Sequence, residues 1–201
     1  LHDRHWYLVS ASFDETAHTI TINQAPMLEY GYAPTKAEAT AKLTSEIGAG
    51  GPFRLAAWSD GKSVAAHFNG KIDSPRVAAR PLTADECARL RDDPADTALL
   101  AAWDFSRGIG GVEIEDVSGK GHRGRIVNLP TRAMAGWNWD ASELDWTKKP
   151  SHYGAIHFHH DDIYDAEWEI DFELKVPEGW RSGFYAARVR CGAHEDHVPF
   201  F

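Results

Sequence analysis

HFNGKIDSPRVAARPLTADECARL, residues 67–90, changes structural type in a readable order. Phe68 stands before Asn69-Gly70, a pair suited to a tight turn because both residues tolerate a left-handed backbone. Ile72, Ser74, Arg76 and Ala78 share one side of the extended stretch that follows. Pro75 has no amide hydrogen to donate, so it places that stretch at a sheet edge or a bulge. Thr83 and Glu86 then have the spacing of a capping box, in which each side chain satisfies the other's free backbone N–H. This predicts a short helix ending near Arg91.

Working outward, the same alternation recurs. His5 to Phe13 (HWYLVSASF) reads as a strand, Asp14 and Glu15 turn it, and His18 to Gln24 (HTITINQ) reads as its hairpin partner. Residues 34–46 are rich in Ala, Lys, Glu and Thr with few large apolar side chains, which predicts a surface loop with one helical turn. Phe53 to Trp58 and Val64 to Phe68 read as strands around Asp60-Gly61. Beyond the Asp92-Asp93-Pro94 break, Leu99 to Phe105 (LLAAWDF) starts another strand. In the last third, Tyr153 to His159, Trp168 to Val176 and Gly183 to Val189 read as strands, the second with apolar and charged residues strictly alternating.

The order of turn, strand, arginine, short loop and capped helix resembles the closing segment of a laminin-G or concanavalin-A-like jelly roll. The stretch from WDFSRG through Asp116, Ser118, Gly119, Gly121, His122 and Gly124 is similar to the opening of such a domain. The resemblance implies an all-β laminin-G/concanavalin-A-like β-sandwich with one short helix and additional antiparallel strands. We expect residues 1–150 to form that sandwich. Residues 151–201 are expected to form a β-strand extension leading into a further domain.

Composition narrows the function classes. A chain of 201 residues, 43% hydrophobic, can bury a substantial core. The formal net charge of -9, with Lys and Arg scattered, repels nucleic acid and anionic membranes. No apolar run approaches the roughly 18 residues that a membrane-spanning helix needs. Cys87 and Cys191 have no metal or redox spacing and fit reduced thiols of a cytoplasmic protein. A start at Leu1 and the apolar end Val198-Pro199-Phe200-Phe201 read as a piece of a longer polypeptide. Its uncovered apolar surface predicts an oligomer.

Three further segments carry a more specific likeness: Asn128 to Met134 (NLPTRAM), Ala155 to His159 (AIHFH) and Ser182 to Ala186 (SGFYA). With AAWDFS before them and PFF after, the chain resembles the large (beta) subunit of N,N-dimethylformamidase and its relatives, from Trp6 to Phe201. That resemblance implies an amide hydrolase that splits dimethylformamide into formate and dimethylamine. It implies an iron held by two tyrosines and a glutamate in a later catalytic domain. It also implies a small subunit as partner. No iron ligand carries over to this sequence, so no cofactor is expected in this chain, and its role becomes assembly and domain packing. The alternative is a free-standing concanavalin-like carbohydrate- or protein-binding module.

Candidate chemistry is sparse. His157, His159 and Asp161 fall at i, i+2 and i+4, where one face of a strand would aim all three at a metal. The plainer account is a polar strand end whose histidines bond backbone. Asp116 to His122 has oxygen ligands near a Gly-rich bend, yet lacks the Asp/Asn density of a calcium loop and reads better as a turn. Asn128, Thr131 and Arg132 around Pro130 suit a carboxylate or a neighbouring chain, or Arg132 forms an internal salt bridge that pins the loop. Trp137 and Trp139, close to Trp146, suit sugar stacking or packing at an interface. No nucleophile motif of a serine or cysteine hydrolase is present.

Overall fold

The computed structural model describes residues 1–28, 36–44, 50–93, 96–161 and 169–201. Two compact units divide the chain, Leu1–Asp165 and Ala166–Phe201. The first holds β1 (Tyr7–Asp14), β2 (Thr19–Pro26), β3 (Ala37–Lys42), β4 (Trp58–Ser59), β5 (Val64–Ala65), β6 (Gly70–Asp73) and β7 (Arg76–Ala78). Helix α1 (Ala84–Asp92) follows, then β8 (Leu99–Asp104), β9 (Glu113–Asp116), β10 (Gly124–Arg125), β11 (Thr131–Met134) and β12 (Ala155–Phe158). The second unit is a hairpin of β13 (Tyr185–Cys191) and β14 (His194–Phe200). Every pairing among the described residues is antiparallel. The class is all-β, with one short helix among the described residues.

The stretch 70–78 is not one strand. Ser74 takes a left-handed φ of 48° ahead of Pro75, and the chain changes sheets there. β6 pairs with β12 in a sheet of order β11-β12-β6, whereas β7 pairs with β8 in the sheet β10-β9-β8-β7. The missing amide of Pro75 thus falls where no ladder bond is needed, and its carbonyl accepts from Trp103 N at 3.1 Å. Ala101, Trp103 and Ile114 of the four-stranded sheet share one core cluster with Ile156 of the three-stranded sheet, lined further by Ile72, Val77 and Phe158.

β8 is buried on both sides. Its pairing with β7 sets Val77 against Ala101 and Ala78 against Leu99, so Leu100 is the extra residue of a bulge and is 42% exposed. The bulge turns Leu99 away from the Ala101 and Trp103 side. Leu99 joins Ala102 and Leu90 of α1 in a second cluster. α1 is held at both ends. At its start Thr83 and Glu86 cap each other, with Arg80 ion-paired to Glu86 at 2.7 Å. At its end Arg76 donates to the carbonyls of Leu90 (2.8 Å) and Arg91 (3.0 Å), which have no partner within the helix. Asp116 closes the β8–β9 corner: its carboxylate accepts from the backbone N–H of Ala102, Ser118 and His122 at 2.8–3.1 Å.

Several expected elements differ. Within 34–46, the described residues form strand β3 rather than a loop; the ends of that stretch lie outside the described residues. Ala37, Ala39 and Ala41 alternate with Glu38, Thr40 and Lys42, and the register to β2 brings Thr21 Oγ1 and Thr40 Oγ1 to 2.9 Å. Small side chains weaken a helix face but do not prevent an edge strand. The sheet β1-β2-β3 turns Ser12 toward the loop before α1, where its hydroxyl donates to Leu82 O at 3.0 Å. Its apolar side carries Val9 and Ile22 at 55% and 49% exposure. The strands expected at 53–58 and 64–68 shrink to two residues each, because Ala56 and Ala66 take left-handed φ values of 64° and 51°. Residues 169–176 form no strand, and Trp168 lies outside the described residues. The strand expected at 183–189 runs Tyr185–Cys191 and gains β14 as a partner.

Two predictions follow from this packing. Leu99→Ala should lower stability by about 2–5 kcal/mol, while Leu100→Ala, one residue on, should cost under about 1 kcal/mol. Urea unfolding of both variants measures the contrast, and equal losses would refute the bulge. Asp116 bears on pH. Burial pushes its pKa up, but three backbone donors and the Ser118 hydroxyl outweigh that and hold it well below the usual carboxylate range. A carboxyl whose folded pKa is depressed stabilises the fold above its unfolded pKa, about 3.9, and that contribution disappears as pH falls toward the folded value. Asp116→Asn should therefore flatten the loss of stability between about pH 5 and pH 2. An unchanged acid slope would contradict this.

Candidate functional site

Asp73 and Arg132 lie near the region where β6, β8 and β11 end and β12 begins. Arg132 sits on β11, whose register against β12 shifts between Thr131 and Met134, with Ala133 at a φ of 56°. Its guanidinium donates to four backbone carbonyls: Gly108 (2.7 Å) and Gly111 (2.9 Å) from Nη1, Phe105 (2.8 Å) and Arg107 (3.0 Å) from Nη2. Burial alone lowers its pKa. The buried Nε has no hydrogen-bond partner among the described residues. This is a planar fork pinning the 105–111 loop, a job one ammonium group has too few fixed donors to do. Asn128, at φ 61°, and Leu129, at φ 45°, are exposed and left-handed, and they lead into buried Pro130.

Asp73, at the end of β6, is the most buried carboxylate of this region. Ser74 Oγ donates to it at 2.7 Å and Trp137 N at 3.3 Å. Burial raises its pKa, with the Asp104 charge adding to the rise, while these two donors and Arg76 work against it. Little room is left for a side chain beside it: a Cβ on Gly136 would collide with Asp73 Oδ2, and one on Gly154 would sit tightly, 3.3 Å from Oδ1. No local pattern signals this cradle, since the two glycines lie far from Asp73 along the chain.

The tryptophans pack locally. Arg91 Cζ lies 4.8 Å from the centre of the Trp137 ring. Trp139 Nε1 donates to Tyr153 OH at 3.2 Å, and that hydroxyl donates to Glu143 O at 2.7 Å. Trp139 and Trp146 remain 39% and 40% exposed.

The histidine strand ends early. β12 stops at Phe158, so the alternation that would align His157, His159 and Asp161 is not maintained, and Asp161 lies in a turn. The rings of His157 and His159 are 4.0 Å apart and tilted by 46°. Among the described residues no three His, Cys, Asp or Glu side chains come together to hold a metal. His160 instead bonds Asn69, whose Oδ1 accepts from its backbone N at 2.7 Å and ties the start of β6 to the end of β12.

A separate groove of about 340 Å³ lies between the polar side of β1-β2-β3 and the start of α1. Ser12, Asp14, Thr21, Asn23, Glu38 and Thr83 contribute its polar lining. The alternation of Ser10, Ser12 and Asp14 along β1 was the available signal for it. Such a wall of hydroxyl, amide and carboxylate groups suits a hydroxyl-rich or cationic ligand rather than an anion.

Comparison with known proteins gives this arrangement a context. Residues 131–201 match the family described as N,N-dimethylformamidase beta subunit-like, C-terminal. The N,N-dimethylformamidase beta subunit of Paracoccus aminophilus is 37% identical over 218 aligned residues, covering 98% of this chain and 29% of that protein. That of an Alcaligenes species is 44% identical over 154 residues, covering 73% of this chain and 20% of that protein. The chain spans less than a third of the length of these relatives. The match takes in the Arg132 fork, the Asp73 cradle and both compact units, and over nearly its whole length the chain is similar to one part of the N,N-dimethylformamidase beta subunit.

Proposed function

We propose that this chain is a non-catalytic β-rich segment of the beta subunit of an N,N-dimethylformamidase-like amide hydrolase. In that setting it supports assembly and the packing of a catalytic domain encoded in further length of the same polypeptide. The parent reaction would be hydrolysis of dimethylformamide to formate and dimethylamine, with a small subunit as partner and a cytoplasmic location in keeping with the free thiols Cys87 and Cys191. The observation that carries this reading is the match itself, which runs through 98% of the chain yet accounts for 29% of the relative. The way polar side chains are used supports it: Arg132 and Asp116 direct their hydrogen bonds to backbone.

The resemblance implies an iron held by two tyrosines and a glutamate, and the described tyrosines of this chain do not fit that set. Tyr7 OH accepts from His2 N at 3.1 Å, Tyr153 OH donates to Glu143 O, and Tyr185 OH donates to Arg181 O at 2.5 Å. Tyr30, Tyr32 and Tyr164 lie outside the described residues. No step of the hydrolysis is assigned to this chain.

A second reading, a carbohydrate-binding module, draws on the hydroxyl-lined groove beside α1. It has no aromatic platform, the usual partner of a sugar ring, among its lining residues. Glycan-array binding by the isolated chain, lost on Asn23→Ala, would favour it over the first.

The purified chain, supplied with iron, should release no formate from dimethylformamide, whereas the full polypeptide with its partner subunit should. Formate production by the chain alone would overturn the proposal. Arg132→Lys should lower the unfolding midpoint by several degrees, because a single ammonium replaces a fork serving four carbonyls, and a loss of about 2–3 kcal/mol is expected. If Arg132 instead serves recognition of a partner, the substitution would weaken subunit association and leave the midpoint unchanged.

A further inference from the structure

Glu169-Ile170-Asp171-Phe172-Glu173-Leu174-Lys175-Val176 alternates charged and apolar residues without exception. Residues 169–176 nevertheless carry no secondary structure and enter no sheet. Ile170, Phe172, Leu174 and Val176 are 76%, 62%, 53% and 62% exposed. Period-two alternation has one structural use, a strand with a covered face and a wet face, and large apolar side chains gain free energy when that face is covered. Pro177 and Gly179, at a φ of 90°, then end the run in a turn.

We infer that residues 169–176 form a β-strand that adds to the edge of a sheet supplied by further length of the same polypeptide. The inference rests on the reading of this chain as a segment of a longer beta subunit. More than two thirds of the Paracoccus aminophilus relative lies outside the matched stretch, which is ample to provide such an edge. A parallel second copy is the wrong partner on charge grounds, and an antiparallel one gains nothing from charge: a pairing centred on Phe172 sets Asp171 against Glu173 twice and Glu169 against Lys175 twice, so repulsion and attraction cancel. A parallel in-register pairing sets each carboxylate against its own copy. Like charges directly opposite one another destabilise a ladder. The partner strand is therefore apolar on the side of Phe172 and basic or uncharged opposite Glu169, Asp171 and Glu173. The docking mode is strand addition, in which main-chain bonds give affinity and alternate side chains give selectivity.

Hydrogen–deuterium exchange read by mass spectrometry tests this on the 201-residue chain and on the full polypeptide purified with its partner subunit. In the full polypeptide, exchange across 169–176 should slow by on the order of 100-fold relative to the chain alone. Phe172→Asp should restore fast exchange there, and Glu173→Gln, on the wet face, should not. Equal exchange in both samples overturns the inference, as does a natural product whose intact mass is that of the 201-residue chain. Protection that rises with concentration in the chain alone also overturns it, by assigning the strand to a second copy. Dimethylformamide hydrolysis is measured on the same full polypeptide. Protection without hydrolysis keeps the strand and refutes the enzymatic reading, and hydrolysis without protection does the reverse.

Discussion

Strand β8 is the constraint on which the rest of the first unit depends, because two hydrophobic clusters need opposite sides of the same six residues. A regular strand would offer Leu99, Ala101 and Trp103 to one side only. The bulge at Leu100 breaks that parity and gives the helix cluster its fully buried leucine while Trp103 stays with the sheets. Everything around β8 preserves this arrangement. Asp116 takes the Ala102 amide, Pro75 takes the Trp103 amide, and His122 O accepts from the Trp103 indole at 2.6 Å.

The charged side chains of the interior serve the backbone more than one another. Arg76 binds the last carbonyls of α1, Arg132 binds a loop, and Asp116 binds three amides. Each compensates for a place where regular secondary structure leaves main-chain groups unpaired, and an unpaired buried group costs more than an average hydrogen bond gains. A charged group committed in this way has its geometry fixed by the fold and contributes architecture rather than reactivity. The use of these residues is in keeping with the architectural role proposed above.

Legibility tracked how local the determining interactions are. The capping box of Thr83 and Glu86 was readable because both partners lie within one turn, and the β1–β2 hairpin because alternation and turn residues are adjacent. The all-β class is what the laminin-G-like resemblance implies, and the same alternation agrees with it. β3 escaped because its alanines look neutral until β2 is placed beside them. The break at Ser74-Pro75 was visible as a bulge signal, but the change of sheet depends on β12 and β8, both remote in sequence. The fork of donors on Arg132 is legible in its residue type, but its use is not: sequence suggests a carboxylate partner, whereas its four carbonyl partners sit in a loop more than twenty residues earlier. Asp73 went unnoticed because burial is a property of the assembled ends of four strands.

The pairing of β6 with β12 carries a consequence for biosynthesis. β6 has one sheet neighbour, and its last residue, Asp73, meets Ala155. At about 5–20 residues per second, a ribosome needs roughly 4–16 s to deliver β12 after β6 has emerged. Through that interval Ile72 and the edge of β6 that β12 later covers lack their partner, so this strand stays open to other pairings until β12 has been made.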